Sequence, residues 1–140
     1  MNEMLRDNPK YTGDRQHIDH DPYDEHGHGT AVASVVASVA PAAKIMSLRT
    51  HNNFGQSDCH TIANAIVYAV LNGANVINLS SGDNDHSPLF HTAIKFAISM
   101  GCVIVASAGN EGDTRVHYPS DLKEVICVGG VNENLQRVFN

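Results

Sequence analysis

Three segments of this chain, Asn75-Val-Ile-Asn-Leu-Ser, Cys102-Val-Ile-Val-Ala and Val125-Ile-Cys-Val-Gly, are short and nearly continuous apolar runs. A strand with one wet face alternates polar and apolar residues. A near-continuous run predicts burial on both faces, as in parallel sheets covered by helices. The segments between and before them carry helix punctuation. Ser57 or Asp58 can cap a helix in which Ile62, Ile66, Ala69 and Val70 recur at helical spacing and Gly73 is the stop. Ser87 as N-cap and Pro88 at the first position open another, with Leu89, Ala93, Phe96, Ala97 and Met100 on one face and Gly101 at its end. Gly29 to Val39, rich in Ala and Val and halted by Pro41, predicts a buried helix with His28 in its first turn. Lys44-Ile-Met-Ser-Leu-Arg is a fourth strand candidate, followed by a turn-prone run from Thr50 to Ser57. Strands alternating with helices give an α/β class: three layers, with a mostly parallel sheet flanked by helices.

In such sheets ligands bind beyond the carboxyl ends of the strands. Two of those ends are polar and glycine-rich: Ser80-Ser-Gly-Asp-Asn84 and Ser107-Ala-Gly-Asn-Glu-Gly112. Each offers backbone amides and a side-chain amide, the groups that orient a peptide or stabilise an oxyanion.

The rest of the chain narrows the function. With 140 residues, 42% of them hydrophobic, it supports one domain and not two. Residues 1–26 are acidic and poor in large apolar side chains, which predicts a loop-rich lead-in, with the folded domain over 27–140. A formal charge of −6 disfavours nucleic acid and anionic membrane surfaces as partners. No apolar stretch approaches the ~20 residues that span a bilayer, and the first residues lack a signal peptide's apolar region. Cys59, Cys102 and Cys127 are far apart and odd in number, so they read as buried thiols rather than a disulfide framework. The run from His17 to His26 is dense in His and Asp, but its spacing fits neither zinc nor calcium signatures, and no metal site is assigned.

Five motifs, in order over residues 24 to 138, resemble the catalytic domain of subtilisin-like serine proteases, the subtilases of peptidase S8 type. His28-Gly-Thr-Ala-Val-Ala-Ser is similar to their histidine motif, and Pro41-Ala-Ala-Lys-Ile-Met-Ser-Leu-Arg to the strand that follows it. Val76-Ile-Asn-Leu-Ser-Ser-Gly82 resembles the strand on which substrate lies, and Ala108-Gly-Asn-Glu-Gly112 the oxyanion-asparagine motif. Tyr118-Pro-Ser with Val125-Ile-Cys-Val-Gly-Gly-Val matches the segment beyond. The resemblance implies His28 as general base and Asn110 as oxyanion donor, the two catalytic residues it assigns. It implies Ser80, Ser81 and Gly82 as the strand that pairs with substrate backbone, and Ser107, Ala108 and Gly109 as one wall of the specificity pocket. Physically, the positive end of a helix dipole opposes a second positive charge on His28, which suits a base. The plainer alternatives are a capping histidine and an asparagine that stabilises its own turn. Ala31 stands where the family usually has a second histidine.

The family's aspartate, at the end of a buried strand before the histidine, has no counterpart here: neither Asp7 nor Asp14 follows an apolar run. The family's serine motif is absent up to Asn140. The resemblance therefore implies a polypeptide-cleaving hydrolase domain truncated at both ends, inactive alone, whose Asp and Ser a complementing chain or longer product would supply. The alternatives are a non-catalytic module that binds extended peptides by strand addition, half of a split protease, or a metal-binding scaffold using the His-rich segment. No cofactor is required for the chemistry; structural calcium is implied by the family only, with no site mapped. Extracellular location and a pro-segment follow from the family alone.

Overall fold

The computed structural model describes residues 8–10, 17–19, 23–82, 86–110 and 117–138, and the chain divides into two compact units, Met1–Ala65 and Ile66–Asn140.

In the first unit, β1 (Asn8–Lys10) and β2 (His17–Asp19) pair antiparallel, with Pro9 opposite Ile18. The loop-rich lead-in thus contains a short ladder. Ladder hydrogen bonds join backbone to backbone, so a segment poor in apolar residues still forms them where its own strands meet. Helix α1 (His28–Val39) begins at His28 as expected and ends at Ala40, whose N–H donates to the Val36 carbonyl at 2.9 Å, one residue before Pro41. The expected burial of this helix is not found. None of its residues is buried, and Val35 and Val39 are 62% and 80% exposed. An all-round apolar helix is suited to burial on every side, and the described residues of this unit leave it open. Residues 44–49, the fourth strand candidate, form no strand. Their β-propensity has no ladder partner among the described residues, and propensity without a partner makes no strand.

Helix α2 (Cys59–Leu71) carries the chain from the first unit into the second. Asp58, not Ser57, caps it: its carboxylate accepts from the Thr61 N–H and the Thr61 hydroxyl, both at 2.9 Å. Ser57 instead donates to the Thr50 carbonyl at 2.6 Å. At the other end Gly73 takes φ 82°, the left-handed conformation that lets the Ala74 N–H reach back to the Ala69 carbonyl at 3.0 Å.

The second unit is built on a three-stranded parallel sheet in the order β3 (Val76–Leu79), β4 (Val103–Ser107), β5 (Ile126–Val128). Helix α3 (Pro88–Ser99) joins β3 to β4 and packs on β4. Ser87 caps α3 through the Phe90 N–H, and Gly101 at φ 87° follows its end. The buried face of α3 is Phe90, Ala93, Ile94 and Ala97, whereas Leu89 and Met100 of the expected face are 41% and 60% exposed. Both sets obey helical spacing; the larger pair Phe90 and Ile94 wins the core and turns Leu89 outward. Ile77, Ile104 and Ala106 complete that core from the sheet, with Tyr118 edge-on to Phe90 at 5.1 Å between ring centres.

Within this unit one sheet face carries the core. Val76, Val103, Ile126 and Val128 are 44% or more exposed, so burial alternates along β3 and β4 although the sequence does not. The cysteines divide similarly. Cys102 is buried, with its sulfur 2.9 Å from the Ala74 carbonyl, but Cys59 is half-buried and Cys127 exposed on β5.

Candidate active site

The C-terminal ends of β3 and β4 are brought side by side by their register, which sets Leu79 opposite Ala106. Ser80, Ser81 and Gly82 leave one strand where Ser107, Ala108, Gly109 and Asn110 leave the next. The Ala108 N–H donates to the Val128 carbonyl at 2.9 Å, so the turn into Gly109 is tied to β5. Gly109 has φ 89°, which favours glycine, and Asn110 follows it at an exposed position. Ser80 is held by the Asn78 amide, which donates to its hydroxyl at 2.9 Å.

Residues 117–120 support both strand ends, a role the sequence did not reveal. The Ser120 hydroxyl donates to the Ser107 carbonyl. A Cβ at Gly82 would lie 3.2 Å from the His117 Cβ and 3.3 Å from the Tyr118 carbonyl, so any side chain there would press on these neighbours. The Tyr118-Pro119 bond is cis, and Tyr118 and Pro119 are among the most buried side chains. His86 meets Asp121 at 2.7 Å and lies 4.6 Å from the Tyr118 ring, closing the side of this segment. Asp83 and Asn84 of the first strand end and Glu111 and Gly112 of the second lie outside the described residues.

His28 belongs to the first unit. It is exposed at the first position of α1, and its ring lies edge-on to that of His26 at 6.3 Å. Gly27, at φ 84°, provides no side-chain cap. Asp24 does that work from four residues upstream. Its Oδ1 accepts from the N–H groups of His26 (3.1 Å) and Gly27 (2.8 Å), and its Oδ2 from the N–H (2.9 Å) and hydroxyl (2.7 Å) of Thr30. The Thr30 hydroxyl above all, then the Gly27 and Thr30 N–H groups, hold the Asp24 carboxyl well below the usual carboxylate range; burial opposes them weakly. Arg49 braces the same loop, pairing with Glu25 at 3.2 Å and donating to the Tyr23 carbonyl at 3.5 Å and the His51 carbonyl at 3.2 Å. His51 is half-buried, with its Nδ1 2.8 Å from the Thr50 hydroxyl. Burial first, then the charges of His28 and His26, lower its pKa.

In the sequence Asp24 stands out only as part of an acidic run. The signal that points to it is negative: Gly27 has no side chain with which to cap α1, which leaves its first N–H groups to water or to a nearby carboxylate.

Residues 2–139 match the model of the Subtilase family. The chain belongs to that family. A thermophilic serine proteinase of Bacillus sp. (strain AK1) is 37% identical to this subtilase over 125 residues, covering 82% of this chain and 31% of that protein. Thermitase of Thermoactinomyces vulgaris is 34% identical over 137 residues, covering 89% of this chain and 49% of its own length. Among solved structures, sphericase superposes with a TM-score of 0.63 at 28% identity, over 69% of this chain and 34% of that one. The subtilase chain thus spans between 31% and 49% of these two curated relatives. The α/β class and the subtilisin-like fold expected from the motifs are those of its structural neighbours.

Among the described residues, no group of three or more His, Cys, Asp or Glu side chains is placed to hold a metal ion. Asp24 is unsuited to calcium because both its oxygens already accept from N–H or O–H donors. No helix among the described residues is long and apolar enough to cross a membrane.

Proposed function

We propose that this chain is the central part of a subtilisin-like serine endopeptidase. The observation that carries the reading is the juxtaposition of Ser80–Gly82 with Ser107–Asn110 on adjacent parallel strand ends, in a chain matching the subtilase family over nearly its whole length. Extended substrate adds as a strand along Ser80, Ser81 and Gly82, and its side chain enters beside Ser107, Ala108 and Gly109. A serine hydroxyl attacks the peptide carbonyl, His28 takes the hydroxyl proton and returns it to the leaving amine, and the Asn110 amide donates to the developing oxyanion. The serine and the aspartate that orients His28 are supplied by a longer product or a complementing chain.

The test is the intact mass of the native product, captured by an antibody to this segment, with labelling by a fluorophosphonate. The expected result is a product heavier than 15.1 kDa that labels covalently. His28→Ala should abolish labelling. Asn110→Ala should lower kcat roughly a hundredfold or more with KM little changed, the size of effect that loss of an oxyanion asparagine has in a subtilisin, carried over to this chain. A native product of 15.1 kDa that never labels would sink the protease reading and favour a peptide-binding module.

A further inference from the structure

We propose that Asp24 is a positioning residue for His28, a carboxylate clasp that grips the backbone on both sides of the histidine and sets the direction in which its ring leaves the helix. The inference rests on reading His28 as the base.

The first N–H groups of a helix have no partner within it, and an ordinary N-cap satisfies one of them. Asp24 does more than cap. Its two oxygens take four donors from His26, Gly27 and Thr30, residues that bracket His28 from two before to two after. Holding Gly27 and Thr30 to one rigid carboxylate fixes the backbone dihedrals between them, and therefore the Cα–Cβ direction of His28. The carboxylate lies directly over this turn: a Cβ at Gly29 would be in ordinary contact with Asp24 Oδ2, at 3.6 Å. The clasp is itself anchored. Arg49 holds both neighbours of Asp24, through the Tyr23 carbonyl and the Glu25 carboxylate. An anion at this helix end is also favoured by the dipole. Because the carboxyl is held below the ordinary range, the clasp's contribution is present above the unfolded carboxyl value of about 4 and is lost progressively as pH falls from there through the lower folded one.

Amide exchange and side-chain NMR on the full chain, comparing Asp24→Ala, Asp24→Asn and Thr30→Val with the unaltered protein, test this. In Asp24→Ala, exchange at the Gly27 and Thr30 amides should rise roughly tenfold or more. The His28 ring should pass from one defined rotamer to an averaged set, while the Ile104 and Ala106 amides stay protected. Asp24→Asn should restore part of both signals, since its amide oxygen still accepts. Thr30→Val should move both in the same direction by less. A His28 ring unchanged while Thr30 exchange rises would reduce Asp24 to a helix cap and overturn the proposal, as would unchanged exchange. If Asp24→Ala also loses protection at Ile104, Thr30→Val decides by the same two signals. Neither signal depends on peptide hydrolysis, so a full-length protein that fails to cleave peptides would remove the proposed function and leave the clasp to be judged on its own. In a full-length protein that does cleave, Asp24→Asn should lower kcat with KM retained.

Discussion

The N-terminus of α1 and the C-terminal edge of the sheet are held by opposite means. Among the described residues α1 buries none of its own, and its first turn is held by the Asp24 carboxylate, whose loop Arg49 braces. Around Ser80–Gly82 and Ser107–Asn110 the order comes from a parallel ladder over Ile104, Ala106, Ile94 and Phe90, all buried. Charge-assisted hydrogen bonds respond to pH and to single-atom changes of the partner, whereas a packed core responds to volume. An exposed histidine can therefore be aimed by polar contacts that cost little core, while a strand-end edge takes its rigidity from the sheet.

That contrast breaks first at Ile104, which is 1% exposed at the centre of the sheet. Ile104→Ala should cost about 2–5 kcal/mol in urea unfolding followed by the second unit's signals, since a cavity replaces a buried side chain. Exchange at the Thr30 amide should change little; if it collapsed together with the sheet, the two regions would not be held separately. A smaller effect is expected at Gly82. The new Cβ in Gly82→Ala would press on His117 Cβ at 3.2 Å and the Tyr118 carbonyl at 3.3 Å, contacts tight enough that the neighbours must give. A loss of roughly 1–3 kcal/mol is expected, with weaker binding of an extended peptide. No change in either would mean that residues 117–120 yield freely and do not set the strand end.

Legibility followed the same division. The start and end of α1, both caps of α3, the glycine after α2 and all three strands of the sheet were readable, because each depends on local sequence: Ser87-Pro88, Gly73, Gly101, and the apolar runs. The facing of α3 was not, since Leu89 and Phe90 both begin helical series and only packing chooses between them. Burial of α1 and of Cys127 was not legible for a related reason: apolar residues state a preference for cover, not its presence. That residues 80–82 and 107–110 lie at strand ends was legible from the apolar runs before them. Arg49 and Ser120 were not, because they reach backbone groups 26 and 13 residues away, and Asp24 was not, because nothing in the acidic run sets it apart from its neighbours.

The smallest expected effect, and the one that most sharpens the contrast, concerns pH. His51 is half-buried and stands near His28 and His26, with the Glu25–Arg49 pair and Asp24 in the same unit. Its folded pKa lies below the ordinary 6.5, so the unfolded chain takes up a proton there that the folded protein refuses. Stability is therefore full above about pH 7 and falls as pH drops through the unfolded value, levelling off once the folded value is passed. In His51→Gln the difference between urea midpoints at about pH 7.5 and about pH 5.5 should shrink relative to the unaltered protein. Salt separates the causes: it weakens repulsion between imidazoles but leaves the burial penalty in place. Since burial is the larger cause, most of the His51-dependent slope should survive added salt. If salt removed that slope, exposed charges alone would govern this end of the molecule; if His51→Gln left it intact, the proton would be taken up elsewhere.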